Sequence, residues 1–248
     1  MEGFGKYVMF LSSLFVRRES FKTYFDLTIE ESYQIGVKSI YLVALVSCFI
    51  GAVTTIQTAY NLVTPLVPKS VISNVVREMT LLELAPTIMA VIYAGKVGSS
   101  MASGIGSMRI TEQIDALEVM GINSSSYLVL PKIVASLLMY PMLVIVAGVC
   151  ALFGGYLAGT LTGVVTPTDY ITGIRLNFND GVILFAMIKA FVFAFLIASI
   201  SSYKGFFTSG GALEVGIAST EAVTTSVIAV LLSDYFLAQF LAPILLGV

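Results

Sequence analysis

Four ionisable side chains, Glu83, Lys96, Lys189 and Asp234, stand inside otherwise uncharged runs of this chain. A charge at the centre of a membrane helix costs about 2.5–3.5 kcal/mol on insertion scales, so such a residue must find a partner, reach water or serve a function. Lys96 falls near the edge of its run, where its stem can snorkel the ammonium to the interface. Lys189 and Asp234 fall at comparable depth on neighbouring runs, and two readings stay open: a structural ion pair, or a part in a conformational stroke or proton relay. Most other chemistry is excluded. There is no histidine, which removes His-based acid–base catalysis and HExxH zinc sites. The chain also lacks a G-x-x-x-x-G-K-S/T loop for a nucleotide and a G-x-S-x-G elbow, so no catalytic residue and no metal ligand is assigned. Cys48 and Cys150 lie in apolar runs and read as small hydrophobes.

The elements that carry these charges are membrane spans. Of the 248 residues 57% are hydrophobic and 11% charged, and the mean hydropathy is +0.95, against roughly 25% charged residues in a soluble domain. A net charge of −2 gives no basic footprint for nucleic acid. A span needs about 20 apolar residues, and five runs qualify: Ser39 to Tyr60, Glu83 to Ser103, one within Ile133 to Thr168, Val182 to Ser202, and Ala222 to Leu246. The third is too long for one span and too short for two with a turn, and is expected to be one long helix, kinked near Pro141, that emerges into a loop.

Five spans place the termini on opposite sides, and the basic residues choose the sides. Lys6, Arg17, Arg18, Lys22, Lys38, Lys96, Arg109, Lys132 and Lys204 fall on one face, and only Lys69, Arg77 and Arg175 on the other. The N-terminus, the 105–131 segment and a 203–218 loop are therefore expected in the cytoplasm and the C-terminus outside. Within residues 1–30, the run Tyr7 to Val16 precedes Arg17-Arg18 instead of following them. That order is wrong for a signal peptide and suits a helix lying in the cytoplasmic interface.

Gly95, Ser99 and Ser103 repeat at four-residue spacing, as do Gly98, Ala102 and Gly106, and a third stripe runs Gly155, Gly159, Gly163. Such stripes let backbones approach closely, either within one bundle or along a cavity or dimer seam. From Met108 the sequence is expected to continue without a loop into an amphipathic helix. Ile110, Ile114, Leu117 and Gly121 lie near helical spacing, and Arg109, Glu112, Asp115 and Glu118 are spread around the other side. A solvated connecting helix and a helix docked in a partner's groove both fit.

The residues themselves carry a resemblance. The string from Ala85-Pro86 through Ala94-Gly95-Lys96-Val97-Gly98, then Gly106-Ser107-Met108-Arg109-Ile110-Thr111-Glu112-Gln113-Ile114-Asp115-Ala116-Leu117-Glu118-Val119-Met120-Gly121, and on to Leu130-Pro131-Lys132, resembles the MlaE (YrbE) family of ABC-transporter permeases. Looser likeness extends to Gln57, Glu83, Lys189, Gly210-Gly211-Ala212 and Asp234. The resemblance implies one permease domain over 1–248: an all-α integral membrane protein with an N-terminal interfacial helix (1–30), a five-span bundle (39–248), and a cytoplasmic coupling helix (107–121) between spans two and three. It implies a homodimer in the bacterial inner membrane that binds two cytoplasmic ATPase subunits, with ATP and magnesium held by those partners and no cofactor on this chain. It also implies an MCE-domain protein on the outer side and phospholipid or a related lipid as cargo.

Carried over residue by residue, the resemblance makes Arg109, Thr111, Glu112, Asp115, Glu118 and Met120 the ATPase contacts. It makes Gln57, Gly98, Ser99, Ala102, Ser103 and Gly104 the wall of the lipid cavity. Many members carry a glutamate in an AE-x-G string where this chain has Ser103-Gly104-Ile105-Gly106, which leaves headgroup preference open. Two further readings are an ion-coupled secondary transporter, in which Glu83, Lys189 and Asp234 relay protons, and a membrane anchor for the MCE protein. The former expects repeats between the two halves, and none is found.

Overall fold

In a bilayer every backbone N–H and C=O must be satisfied within the protein, which leaves helices or closed barrels. The computed structural model of the chain describes residues 2–14, 20–62 and 68–246, and among these every regular element is helical. The α-helices are α1 (Glu2–Ser13), α2 (Phe21–Ser32), α3 (Lys38–Asn61), α4 (Ser70–Met79), α5 (Met89–Tyr93), α6 (Ser99–Ile110), α7 (Gln113–Val119), α8 (Ser124–Leu161), α9 (Pro167–Arg175), α10 (Asp180–Phe206) and α11 (Ala212–Leu246). π-Helical stretches at Tyr33–Val37, Thr80–Ile88 and Ala94–Gly98 join α2 to α3, α4 to α5 and α5 to α6.

Among the described residues four helical stretches are long and apolar enough to cross a membrane: Phe21–Asn61, Ser124–Leu161, Asp180–Phe206 and Ala212–Leu245. They overlap expected spans one, three, four and five, and each begins earlier than expected. The expected second span is assembled differently, from α5, α6 and two π-helical stretches, so no single α-helix there reaches spanning length. Pro86 lies inside the first of these stretches, where its missing N–H breaks the regular ladder.

Several expectations are corrected. The N-terminal region holds two helices, α1 and α2, not one; Arg17 and Arg18 lie outside the described residues. The third span starts at Ser124 and passes through Pro141 without a break in the helix. It ends at Leu161 because Gly163 adopts φ +70°, so Gly163 closes the helix and does not extend a packing stripe. Thr166 then caps α9, accepting from the Asp169 N–H at 3.1 Å. The expected 203–218 loop shrinks to the few residues between Phe206 and Ala212. There Gly210 takes φ +116°, and the Glu214 carboxylate accepts from the Gly211 N–H at 2.9 Å.

The chain forms two compact units. The first comprises residues up to Lys38 with 90–140 and 191–233. In it α1 is pinned to the end of α10: the Phe10 ring lies 5.6 Å from Tyr203 and 5.3 Å from Phe206, and the Tyr7 hydroxyl bonds Ser199 Oγ at 2.6 Å. Burial raises the Tyr7 pKa above the usual phenol value, with the Ser199 bond a smaller, opposing influence. α2 is tied to α8 by the Tyr24–Ser126 hydroxyl pair at 2.6 Å and by the Lys132–Glu31 ion pair. α6 lies directly on α10, since a Cβ on Gly205 would sit 2.5 Å from the Ala102 carbonyl oxygen.

The second unit comprises 39–89, 141–190 and residues from 234 onward. α3 and α8 meet backbone to backbone, with Gly51 against the Ala151 carbonyl and Gly154 against the Cys48 carbonyl, where no side chain fits. Ala59, Ile72, Val76, Val165 and Tyr170 form a buried cluster. Arg77, 2% exposed, donates to the carbonyls of Ile174 at 2.6 Å and Leu176 at 2.7 Å, closing the C-terminal end of α9.

Candidate functional site

Within the second unit, Lys189 on α10 is wholly buried and has three acceptors for its three N–H donors. Asp234 Oδ1 lies at 2.7 Å, Glu83 Oε1 at 2.8 Å and the Leu82 carbonyl oxygen at 3.0 Å. The third acceptor belongs to the π-helical stretch that contains Pro86. The Thr87 hydroxyl lies 3.1 Å from Glu83 Oε2 and 3.3 Å from Asp234 Oδ1, so its one proton serves either carboxylate. The Phe185 ring, one turn before Lys189, lies 4.7 Å from the ammonium. The side chains of Glu83 and Asp234 are 49% and 16% exposed, so the cluster has one open edge, at Glu83. Two carboxylates and one ammonium give it a net charge of −1.

Sequence reasoning paired Lys189 with Asp234 and joined Glu83 to them only in the proton-relay reading; the fold puts both carboxylates on the one ammonium. It missed Thr87 and the Leu82 carbonyl. The available signal was the Glu83–Thr87 i,i+4 spacing.

The second group of residues lies around α7. The unbroken helix expected from Met108 onward is interrupted: α6 ends at Ile110, and Glu112 takes left-handed geometry at φ 60°, which costs a non-glycine residue roughly 1–2 kcal/mol. At the break Thr111 Oγ1 donates back at 2.8 Å to the Ser107 carbonyl, which also accepts from the Thr111 N–H at 3.1 Å. Across the break Arg109 Nη1 meets Asp115 Oδ1 at 2.7 Å. Glu118 accepts from Ser124 Oγ at 2.8 Å, and Gly121, at φ +80°, turns the chain into α8. Ile114 is fully buried and Leu117 half-buried. Val119 and Met120, by contrast, stand 89% and 65% exposed. The short helix therefore offers an apolar tip, Val119-Met120, flanked by Glu112, Asp115 and Glu118.

The remaining candidates separate by exposure. Gly98 and Ala102 are buried within the first unit, Gly98 against Ser201 and Ile197 and Ala102 against Gly205. That stripe packs α6 onto α10. Ser99 and Ser103 are half-buried, and Gln57 and Gly104 are exposed. Lys96 is exposed and donates to the Lys38 carbonyl at 2.5 Å.

Several apolar helices of spanning length define a multi-pass membrane protein. The comparisons carry the assignment further: residues 28–240 match the family described as Permease MlaE, and the chain belongs to that family. It is 37% identical over 216 residues to a probable ABC transporter permease protein of Rickettsia bellii, covering 87% of this chain and 83% of the relative. A probable ABC transporter permease protein of Synechocystis is 35% identical over 211 residues, 85% of this chain and 80% of its own. The chloroplastic protein Trigalactosyldiacylglycerol 1 of Arabidopsis thaliana is 32% identical over 222 residues, 86% of this chain and 61% of its own.

Proposed function

We propose that this chain is the membrane permease of an ABC transporter that moves phospholipid or a related lipid between membranes, driven by a separate cytoplasmic ATPase. The observation that carries this reading is the family match over 28–240. The lipid in the name of the Arabidopsis relative supports the cargo. In this reading span two completes a five-span bundle, with the N-terminus in the cytoplasm and the C-terminus in the periplasm. α7 is the coupling helix: its Val119-Met120 tip enters a groove on the ATPase, and Glu112, Asp115, Glu118 and Arg109 fix the register. ATP and magnesium belong to that partner. Only 6% of the apolar window of α11 is buried, which supports a second copy of the chain covering it. An MCE-domain protein completes the path on the outer side.

The test is native mass spectrometry of the tagged chain drawn gently from its own membrane, followed by reconstitution of what co-purifies. Two copies with two ATPase subunits and bound phospholipid, and ATP-dependent lipid transfer in proteoliposomes, are expected. A monomer free of ATPase and lipid in mild detergent overturns the proposal.

A further inference from the structure

Beside the groups already described, the first unit contains a recess of about 220 Å³ lined by Glu31, Gln34, Lys38, Lys96, Ser100 and Lys132. Three ammoniums face one carboxylate there. Lys132 is neutralised by its ion pair with Glu31. Lys38 and Lys96 meet only neutral oxygens, Gln34 Oε1 at 2.5 Å and the Lys38 carbonyl at 2.5 Å respectively. Among the described residues the recess thus keeps a surplus of two positive charges with no acid to balance them, and the Ser100 hydroxyl and Gln34 amide add neutral donors. Its walls, α2 and α8, also line an apolar groove of about 530 Å³ formed by Phe21, Phe25, Ile29, Leu130, Val134 and Leu138.

The geometry points to a site for an anionic phospholipid of the cytoplasmic leaflet, with its phosphate in the lysine recess and an acyl chain in the groove of α2 and α8. A phosphate diester supplies the negative charge that Lys38 and Lys96 lack. Lysines at the cytoplasmic membrane edge are where anionic headgroups concentrate. The apolar groove favours a lipid over a free anion, because inorganic phosphate leaves it empty. The site differs from the proposed cargo pathway in its residues, none of which is a proposed cavity position. It rests on the orientation proposed above but not on transport.

The experiment uses the full-length chain, purified, delipidated and offered mixed micelles of phosphatidylglycerol or phosphatidylcholine, with retained lipid counted by native mass spectrometry and no ATPase present. The parent is expected to retain phosphatidylglycerol selectively. Lys38→Gln with Lys96→Gln is expected to lower that retention on the order of tenfold, with phosphatidylcholine unchanged. Glu31→Gln removes the one carboxylate and is expected to raise it, a change of opposite sign that damage to the fold does not produce. Equal retention of the two lipids by the parent, or unchanged selectivity in both variants, overturns the proposal. Displacement of phosphatidylglycerol by millimolar inorganic phosphate reassigns the recess to a free anion and overturns the lipid site. Loss of ATP-driven transfer with lipid selectivity intact strikes the permease reading alone.

Discussion

Replacing Lys189 with methionine, alone and together with Asp234→Leu, separates a buried ion cluster from three independent charges. In Lys189→Met the Asp234 carboxylate, 16% exposed, faces Glu83 with no cation between them, and the Leu82 carbonyl loses its donor. Removing one partner of a buried pair costs about 3–5 kcal/mol. For a chain of this size that lowers the melting midpoint on the order of 10 °C. Asp234→Leu is milder, because Lys189 keeps Glu83 and Leu82. Glu83→Gln is milder still, about 1 kcal/mol or less, since that side chain is half exposed and a glutamine oxygen can still accept from the ammonium. The double variant Lys189→Met with Asp234→Leu leaves only Glu83 charged, at the open edge, and is expected to recover most of the loss of the lysine variant. Melting in detergent, followed by a thiol-reactive dye reporting on Cys48 and Cys150, together with the yield of monodisperse protein, measures all four. Additive losses in the double variant would refute the reasoning, because independent sites add and a shared cluster does not.

Val119→Asp with Met120→Asp is expected to leave yield and melting unchanged while lowering ATPase co-purification at least about tenfold, the equivalent of roughly 1.4 kcal/mol; pull-down under matched expression measures it. Gly154→Val drives a side chain into the Cys48 carbonyl and is expected to abolish monodisperse protein, whereas Gly104→Ala, with open space at its Cβ, is expected to be neutral or slightly stabilising in the same chromatography. Gly104→Glu introduces the glutamate that the resemblance implies, at a position with open space around its Cβ, and is expected to preserve yield while changing the headgroup profile of co-purified lipid read by mass spectrometry. Because burial raises the Tyr7 pKa, its contribution to docking α1 is complete below the ordinary phenol value near 10 and is lost as pH rises through the raised one. Protease cleavage between α1 and α2 is expected to be flat from pH 7 to 9 and to accelerate only above about pH 10, with Tyr7→Phe removing that step.

The long helices were legible because apolar length is a one-dimensional signal: α3, α8, α10 and α11 each contain the run that announces it. Their ends were less legible. Ala212 to Glu221 carries Glu214 and Glu221, so hydropathy starts the last helix late, although α11 begins at Ala212 where Gly210 and Glu214 set its first turn. The break between α6 and α7 hides for a different reason. Ile110, Ile114 and Leu117 keep helical spacing across it, and the left-handed turn falls on Glu112, a residue type that announces no such geometry. The hydrogen bond from Thr111 to Ser107 that accompanies it is a local choice between two acceptors, which periodicity does not register.

The charge cluster shows how far sequence reasoning reaches into a membrane site and where it stops. The cost of burying Lys189 demands a partner, and depth along two helices nominates Asp234. Neither argument shows that the Glu83 side of the expected second span turns toward the same lysine, because that depends on how far the π-helical stretch from Thr80 to Ile88 rotates the chain. Each π turn adds a residue without adding a hydrogen bond to the ladder, so the face presented by Glu83 departs from the one a 3.6-residue period assigns it. Pro86 lies inside that stretch, and the Leu82 carbonyl four residues before it accepts from the ammonium that Glu83 and Asp234 neutralise. On this argument, Pro86→Ala supplies the N–H that an α-helical ladder needs and should pull the segment toward a regular α-helix. That change rotates Glu83 away from Lys189, so the melting loss of Glu83→Gln should shrink in the Pro86→Ala background; an undiminished loss there would separate the proline from the cluster.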